Sequence, residues 1–326
     1  MRLQVRQGTY EYDIELQQIT QLLGLNIKNK NYIIKSIVKH FSNSKYAEYE
    51  KDLIDNIKLD MEEIGRKYFD VIYIRNREDI LNFLKITKTS IFMKYINTVI
   101  NDYDMQLEMQ SIDEALEKIF IQINDNIHSN IMLQYEQEDI FNMVQQSKVR
   151  NREGSELEEL ENIELLKSLF ELIEKLQCEN PQKQIIIIEN VDHILDYDEY
   201  LTLYKIVKNL VAKTDVWVMF TSSTDRFAII DSEYISGVNI INDIVYNMPE
   251  IDRLRGFIEE EYPCYIKIDD DEIEEMILPV IHKIGVSDDK NNAKSRVVLK
   301  LINSSVCVKY KENTTLNPME SSFLLS

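Results

Sequence analysis

Cysteine, long apolar runs, glycine, proline and positive charge are all scarce in this chain, and each shortage excludes something. The three cysteines, Cys178, Cys264 and Cys307, are an odd number, widely spaced and without a C-x-x-C pair. That pattern points to a reducing interior and to no zinc site. No apolar run approaches a bilayer span and Met1 to Asp13 lacks a signal-peptide core, so the expected location is the cytoplasm, without a membrane partner. Seven glycines and five prolines in 326 residues, with 44% hydrophobic and 29% charged residues, describe a folded, helix-rich protein of one large or two moderate domains. A formal charge of -20 taken alone argues against a nucleic-acid surface, because phosphate binding needs clustered cations.

The stretch Gln184-Ile-Ile-Ile-Ile-Glu-Asn190 organises what is present. Four consecutive isoleucines entered after Asn180-Pro181 read as a short strand buried on both faces, as in a parallel sheet, with chemistry sought at its carboxyl end. Asp198 to Val211 follows as a helix, and Val216 to Phe220 as a second strand ending in Thr221-Ser222-Ser223. Strand ending in an acid, helix, strand ending in hydroxyls is the order of the Walker B half of a P-loop nucleotide-binding domain. Phe69 to Ile74 is expected to join the same sheet.

The other half of such a site is sought near the start of the chain. Met1 to Arg6 and Tyr10 to Ile14 alternate like a hairpin around Gly8, and Ile19 to Gly24 reads as a further strand. Ile33, Ile34, Ile37, Val38 and Phe41 then recur at helical spacing. Gly24 to Asn31 therefore stands where the pattern G-x-x-x-x-G-K-[ST] belongs. Gly24 and Lys30 match it; Asn29 replaces the second glycine and Asn31 the metal-binding hydroxyl. Glu189 holds the Walker B position, and Asn190 stands where a carboxylate would activate water, which an amide cannot do. No L-S-G-G-like signature precedes the strand and no histidine stands in the residues directly after Phe220. The two halves read as a nucleotide-binding fold kept for its shape.

From Ile80 to Leu176 there is no proline and only Gly154. Ile112, Leu116, Ile119, Ile123 and Ile127 make one apolar stripe, and Leu157, Leu160, Ile163, Leu166, Leu169, Ile173 and Leu176 make another. Both predict long amphipathic helices packed as a hairpin or bundle, the second starting at a Ser155/Glu158 capping box. This all-α arm is rich in acids, whose clusters suit either a solvated face or a hard cation such as calcium. Asp102-Tyr103-Asp104 lacks the glycine and terminal glutamate of an EF-hand. Cations are segregated elsewhere: Lys28, Lys30, Lys35, Lys39 and Lys45; Lys148, Arg150 and Arg152 at the expected turn of the arm; and Lys205, Lys208 and Lys213. Such patches can hold a phosphate backbone despite the net charge.

In its order of elements the chain resembles the DNA-end-binding adaptation proteins of type II-A CRISPR systems, in their long streptococcal form. The likeness rests on Leu133-Gln-Tyr-Glu-Gln-Glu-Asp-Ile-Phe-Asn-Met-Val144, on the helix from Ser155 to Leu176, and on Ile185 to Asn190 leading to the strand ending at Phe220. It covers most of residues 14 to 260. The resemblance implies an α/β fold: a degenerate P-loop NTPase-like head, residues 1–85 and 181–268, with an inserted all-α leg, 86–180, and a C-terminal extension, 269–326. It implies a non-catalytic homotetrameric ring that binds double-stranded DNA at linear ends, depends on calcium, and supports spacer acquisition with the integrase proteins and the effector nuclease. By position in the resemblance, Glu136, Glu138, Asp139 and Glu156 are the expected calcium ligands. Lys28, Lys30, Lys35, Lys39, Lys148, Arg150 and Arg152 are the expected DNA contacts, and Gly24, Lys30 and Glu189 the remnants of the nucleotide site. Two other readings stay open at this point: a long-armed ATPase head of the ABC or structural-maintenance type, against which Asn29, Asn31 and Asn190 count, and a scaffold that binds only protein.

Overall fold

The computed structural model describes residues 1–42, 44–127, 131–136, 144, 147–224, 227–286 and 293–308. Their elements are, in chain order, β1 (Arg2–Gln7), β2 (Tyr10–Glu15), β3 (Ile19–Leu23), α1 (Ile27–Phe41), β4 (Ile57–Leu59), β5 (Glu62–Glu63), β6 (Asp70–Ile74), α2 (Arg77–Leu84), α3 (Ile91–Ile100), α4 (Tyr103–Asn126), α5 (Asn162–Glu179), β7 (Gln184–Ile188), α6 (Tyr197–Val211), β8 (Val216–Thr221), β9 (Val238–Ile241), β10 (Val245–Asn247), α7 (Ile251–Glu261), α8 (Asp270–Ile277) and α9 (Ala293–Ser305). They form two compact units, Met1–Tyr68 with Val218–Ser326, and Phe69–Trp217.

In the first unit β1 and β2 form the expected antiparallel hairpin, with Gln7 opposite Tyr10 and the two-residue turn opened by Gly8 at a φ of 60°. β4 extends it on the other side of β1. β3 lies in parallel register with β8, Ile19 opposite Val218, and with β9, Gln21 opposite Val238. All five of its residues are buried, as a strand covered on both faces requires. Its one long polar side chain, Gln21, exchanges two hydrogen bonds with the backbone of Ile229, at 2.6 and 3.0 Å.

α1 buries Ile33, Ile34, Ile37 and Phe41, the stripe read from the sequence. Its C-terminal carbonyls have no partners within the helix, and Arg66 supplies them: the guanidinium donates to the carbonyls of Lys39, His40, Ser42 and Ser44.

The C-terminal residues are part of this unit's core. Ile273, Ile277, Ile281 and Ile284 join Val298, Leu299 and Ile302 of α9 in one buried cluster that includes Leu23, Val238 and Ile240 of the strands. α8 ends at Ile277 and a 3-10 turn follows at Ile281–Lys283. The chain is helical again from Ala293 to Ser305. Residues 287–292 and 309–326 lie outside the described residues.

In the second unit β6 and β7 pair in parallel, Asp70 opposite Gln184 through Ile74 opposite Ile188, and all five residues of β7 are buried. Two expectations for the arm are corrected here. The later stripe is a helix only from Asn162, capped by Glu161 with Glu164, while Leu157–Glu159 is a 3-10 turn. Arg77 explains the late start: it takes the carbonyls of Glu158 and Leu160 and the side chain of Asn162, at 2.6 to 2.9 Å, so those carbonyls do not enter a helical ladder. Nor, among the described residues, do the two stripes close on each other as a hairpin. α5 packs against α2, α3 and α6, whereas α4 has no buried residue along its 24 positions.

Replacing Arg66 with Ala uncaps α1 and is expected to lower unfolding stability by about 1–2 kcal/mol in denaturant titration, with Lys recovering little because it lacks the fork of donors. The carboxylate of Glu50 is held below its ordinary range by the Ala47 N–H and then by Lys39, 2.8 Å away. A depressed folded value contributes stability above the ordinary carboxylate range that is lost as pH falls through the lowered one. Glu50→Gln is therefore expected to lose stability at neutral pH and to flatten the acid limb of a stability-versus-pH profile.

Candidate functional site

The turn between β3 and α1 holds three residues, Gly24, Leu25 and Asn26, before the helix begins at Ile27. A phosphate-cradling loop needs a longer run of free backbone N–H groups. Without a glycine at position 29 the chain enters the helix early, and the side chain of Asn26 caps it by accepting from the Asn29 N–H at 3.1 Å. The remaining donors of the turn are taken by the same unit. Gly24 N–H donates to Nδ1 of His282 at 3.2 Å, Leu25 N–H to Oδ1 of Asn242 at 2.6 Å, and Asn26 N–H to the carbonyl of Ile241 at 3.1 Å. Asn242 is the hub. Its amide nitrogen donates to the carbonyls of His282 at 3.1 Å and Ile284 at 2.5 Å, and its own carbonyl accepts from the Asn26 side chain at 2.9 Å.

Gly24 has a reason to be glycine that owes nothing to phosphate. Its φ is 96°, and a Cβ there would lie 2.4 Å from the Ile241 carbonyl oxygen. The strand that supplies an acceptor to the turn fills the space a side chain would need.

Lys30, expected both in the nucleotide site and at a DNA surface, is 2% exposed. Its ammonium donates to the carbonyls of Gly24 at 2.8 Å and Ser222 at 2.6 Å. This corrects its assignment as a DNA contact: the charge is spent inside the unit, joining the ends of β3 and β8. In the second unit Glu189 accepts a hydrogen bond from the Tyr73 hydroxyl. Burial, then that carboxylate, pushes the Tyr73 hydroxyl upward, so it stays a donor to Glu189 at neutral pH. Arg75 lies over the Tyr73 ring and pairs with Asp79 through two donors at 2.9 and 3.0 Å. Asn190 has a φ of 50°, a left-handed position that asparagine tolerates better than most residues.

The other expected cations divide by surroundings. Lys28 and Arg152 are exposed. Lys35 and Lys39 both approach Glu50, at 3.8 and 2.8 Å, and lie over Tyr49 and Tyr46. Lys148 and Arg150 both hold Oε1 of Glu156, at 3.3 and 3.0 Å. The expected metal ligand Glu156 thus sits between two expected DNA contacts, which press its carboxyl below the usual range. Glu136 is exposed beside a cavity of about 420 Å³ that Asp113 and Phe120 also line, where the Tyr135 hydroxyl donates to Asp113 at 2.7 Å. Glu138 and Asp139 lie outside the described residues. Among the described residues no three His, Cys, Asp or Glu side chains come together as a metal-binding group. Neither Glu136 nor Glu156 alone makes a calcium site.

Sequence reasoning missed Asn242 and His282. They lie 217 and 258 positions from their partners Leu25 and Gly24, with no local pattern to mark them.

The sequence matches a family model described as CRISPR-associated protein Csn2 subfamily St over residues 6–279. Among curated proteins nothing matches. Among solved structures, the crystal structure of Stu0660 of Streptococcus thermophilus is similar, with a TM-score of 0.83 at 18% identity over 100% of this chain and 99% of that one. That likeness speaks for the α/β fold. Among the described residues no helix is long and apolar enough to cross a membrane.

Gly24→Ala combines a left-handed backbone with the clash at Ile241 and is expected to destabilise by about 2–4 kcal/mol in chemical denaturation. Gly65, where an added Cβ meets nothing within 4 Å, tolerates Ala to within about 0.5 kcal/mol and serves as the control.

Proposed function

The chain belongs to the Csn2 family of CRISPR-associated proteins, subfamily St, and from that premise we propose that it is a non-catalytic protein that binds the ends of double-stranded DNA during spacer acquisition. The family match over residues 6–279 carries this reading. The turn after β3 supports its non-catalytic half, because the N–H groups and the lysine that would meet phosphates already have partners within the chain.

In this reading the protein works as a ring, a homotetramer, with a head of residues 1–85 and 181–268 that keeps a degenerate P-loop NTPase-like shape, a leg of 86–180 and an extension of 269–326. α4 supports self-association. It exposes Met105, Leu107, Ile112, Ile119, Ile121 and Ile123, apolar surface that a second subunit would cover. Closing identical subunits into a ring gathers their cations on one inner surface, so a chain of net charge -20 can still hold a phosphate backbone. Lys28, Lys35, Lys39, Lys148, Arg150 and Arg152 are the cations we assign to that surface. Calcium is assigned to the acidic leg, with Glu136, Glu138, Asp139 and Glu156 as its proposed ligands; its charge would offset part of the leg's acidity. The integrase proteins and the effector nuclease are the proposed partners.

The test compares linear duplex with a closed circle of the same sequence in a gel shift, with calcium and with chelator. Binding of the linear form alone, lost on chelation, is expected. Equal binding of both forms, or of neither, removes the end-binding reading, and ATP turnover that Lys30→Ala abolishes would replace it with an ATPase. Lys28→Ala is expected to weaken linear DNA evenly across sequences and to lower the salt slope by about one. Ile119→Glu with Ile123→Glu is expected to reduce the assembled mass in light scattering.

A further inference from the structure

We infer that the chain itself is the resident occupant of the turn after β3: His282 of the C-terminal segment, together with Asn242 and Ile241 at the end of β9, supplies the acceptors that a phosphate would otherwise bring. The inference does not rest on DNA binding.

Three observations carry it. First, the acceptors are placed donor by donor. Gly24, Leu25 and Asn26 each find a separate one, from His282, Asn242 and Ile241 respectively. Second, His282 is held by contacts beyond the one it makes with Gly24. Asn242 binds the carbonyls on both sides of Lys283, those of His282 and Ile284, while Gly285 N–H donates to Asn303 of α9 at 2.8 Å. Ile281 and Ile284 are fully buried in the same cluster as Leu23. Third, the chemistry is of the right kind. An imidazole that accepts at Nδ1 is neutral at that nitrogen, and an amide oxygen is neutral too. The helix N-terminus therefore meets neutral acceptors within the chain in place of an anion. Lys30, with its ammonium on two carbonyls, is likewise engaged without phosphate.

The consequence is a head whose turn is set by residues 217 and 258 positions further along the chain. Its geometry does not await a nucleotide, and the C-terminal segment locks β3, the start of α1 and β9 together.

Hydrogen exchange read by mass spectrometry on the protein tests this, comparing the peptide that spans the turn with the one that spans Arg2 to Gln7, β1 of the same unit. His282→Ala removes the acceptor. His282→Asn places an amide oxygen close to where Nδ1 was. The turn peptide is expected to exchange at least about tenfold faster in the Ala variant, to return most of the way to wild type in the Asn variant, and to do so without a matching change in β1. Two results overturn the inference. Unchanged exchange of the turn in His282→Ala means the contact does not hold it. Acceleration of β1 by the same factor means the residue serves the stability of the unit only. A third arm adds inorganic pyrophosphate to the wild-type protein: no added protection of the turn is expected, and protection at millimolar pyrophosphate would show that the place is not taken.

Discussion

A buried backbone N–H must have an acceptor, and at the turn after β3 that requirement ties distant parts of the first unit together. Leaving one such group unpaired costs about 1–3 kcal/mol, and this turn presents three in succession at the start of a helix. In a phosphate-binding loop the ligand meets the demand. Here His282, Asn242 and Ile241 meet it. Much else follows from that arrangement. Gly24 must lack a Cβ because Ile241 comes so near, Asn242 must be an amide because it both accepts and donates, and the C-terminal helices must pack on the strands to bring His282 into place.

The same requirement governs Lys30. Its ammonium joins the carboxyl ends of two neighbouring parallel strands through Gly24 and Ser222. A buried lysine is tolerated only when its charge is solvated by such dipoles. Glu189 is steadied by a tyrosine hydroxyl.

Charge is rearranged in a related way just before the 3-10 turn at Leu157–Glu159. Glu156 draws Lys148 and Arg150 to one carboxylate, so acids and bases that look segregated along the sequence are neighbours in space. Exposed pairs of this kind are worth little to stability. Their weakness keeps the cations available to a stronger anion. Lys35 and Lys39 differ in that their common partner, Glu50, is nearly buried.

The sequence by itself determined the strands that are covered on both faces, since four successive isoleucines or an Ile-Thr-Gln-Leu-Leu run admit little else. It determined α1 through its 3.6-residue stripe, and the departure of Gly24 to Asn31 from a phosphate-loop pattern through Asn29 and Asn31, because those are local properties of residue type and spacing. Where a helix end depended on a distant side chain, the reading failed: Arg77 delays α5 to Asn162 by taking the carbonyls before it, and nothing near Ser155 records that. A period of 3.6 also cannot say what covers a stripe, so α4 and α5 looked alike although only α5 is buried in this chain. The tertiary structure alone decided that Lys30 is interior, that Glu156 sits among cations, and that the donors of the turn after β3 are met by Asn242 and His282. Each of these depends on contacts between groups far apart along the chain or on which way a side chain faces, and residue type and local spacing carry neither.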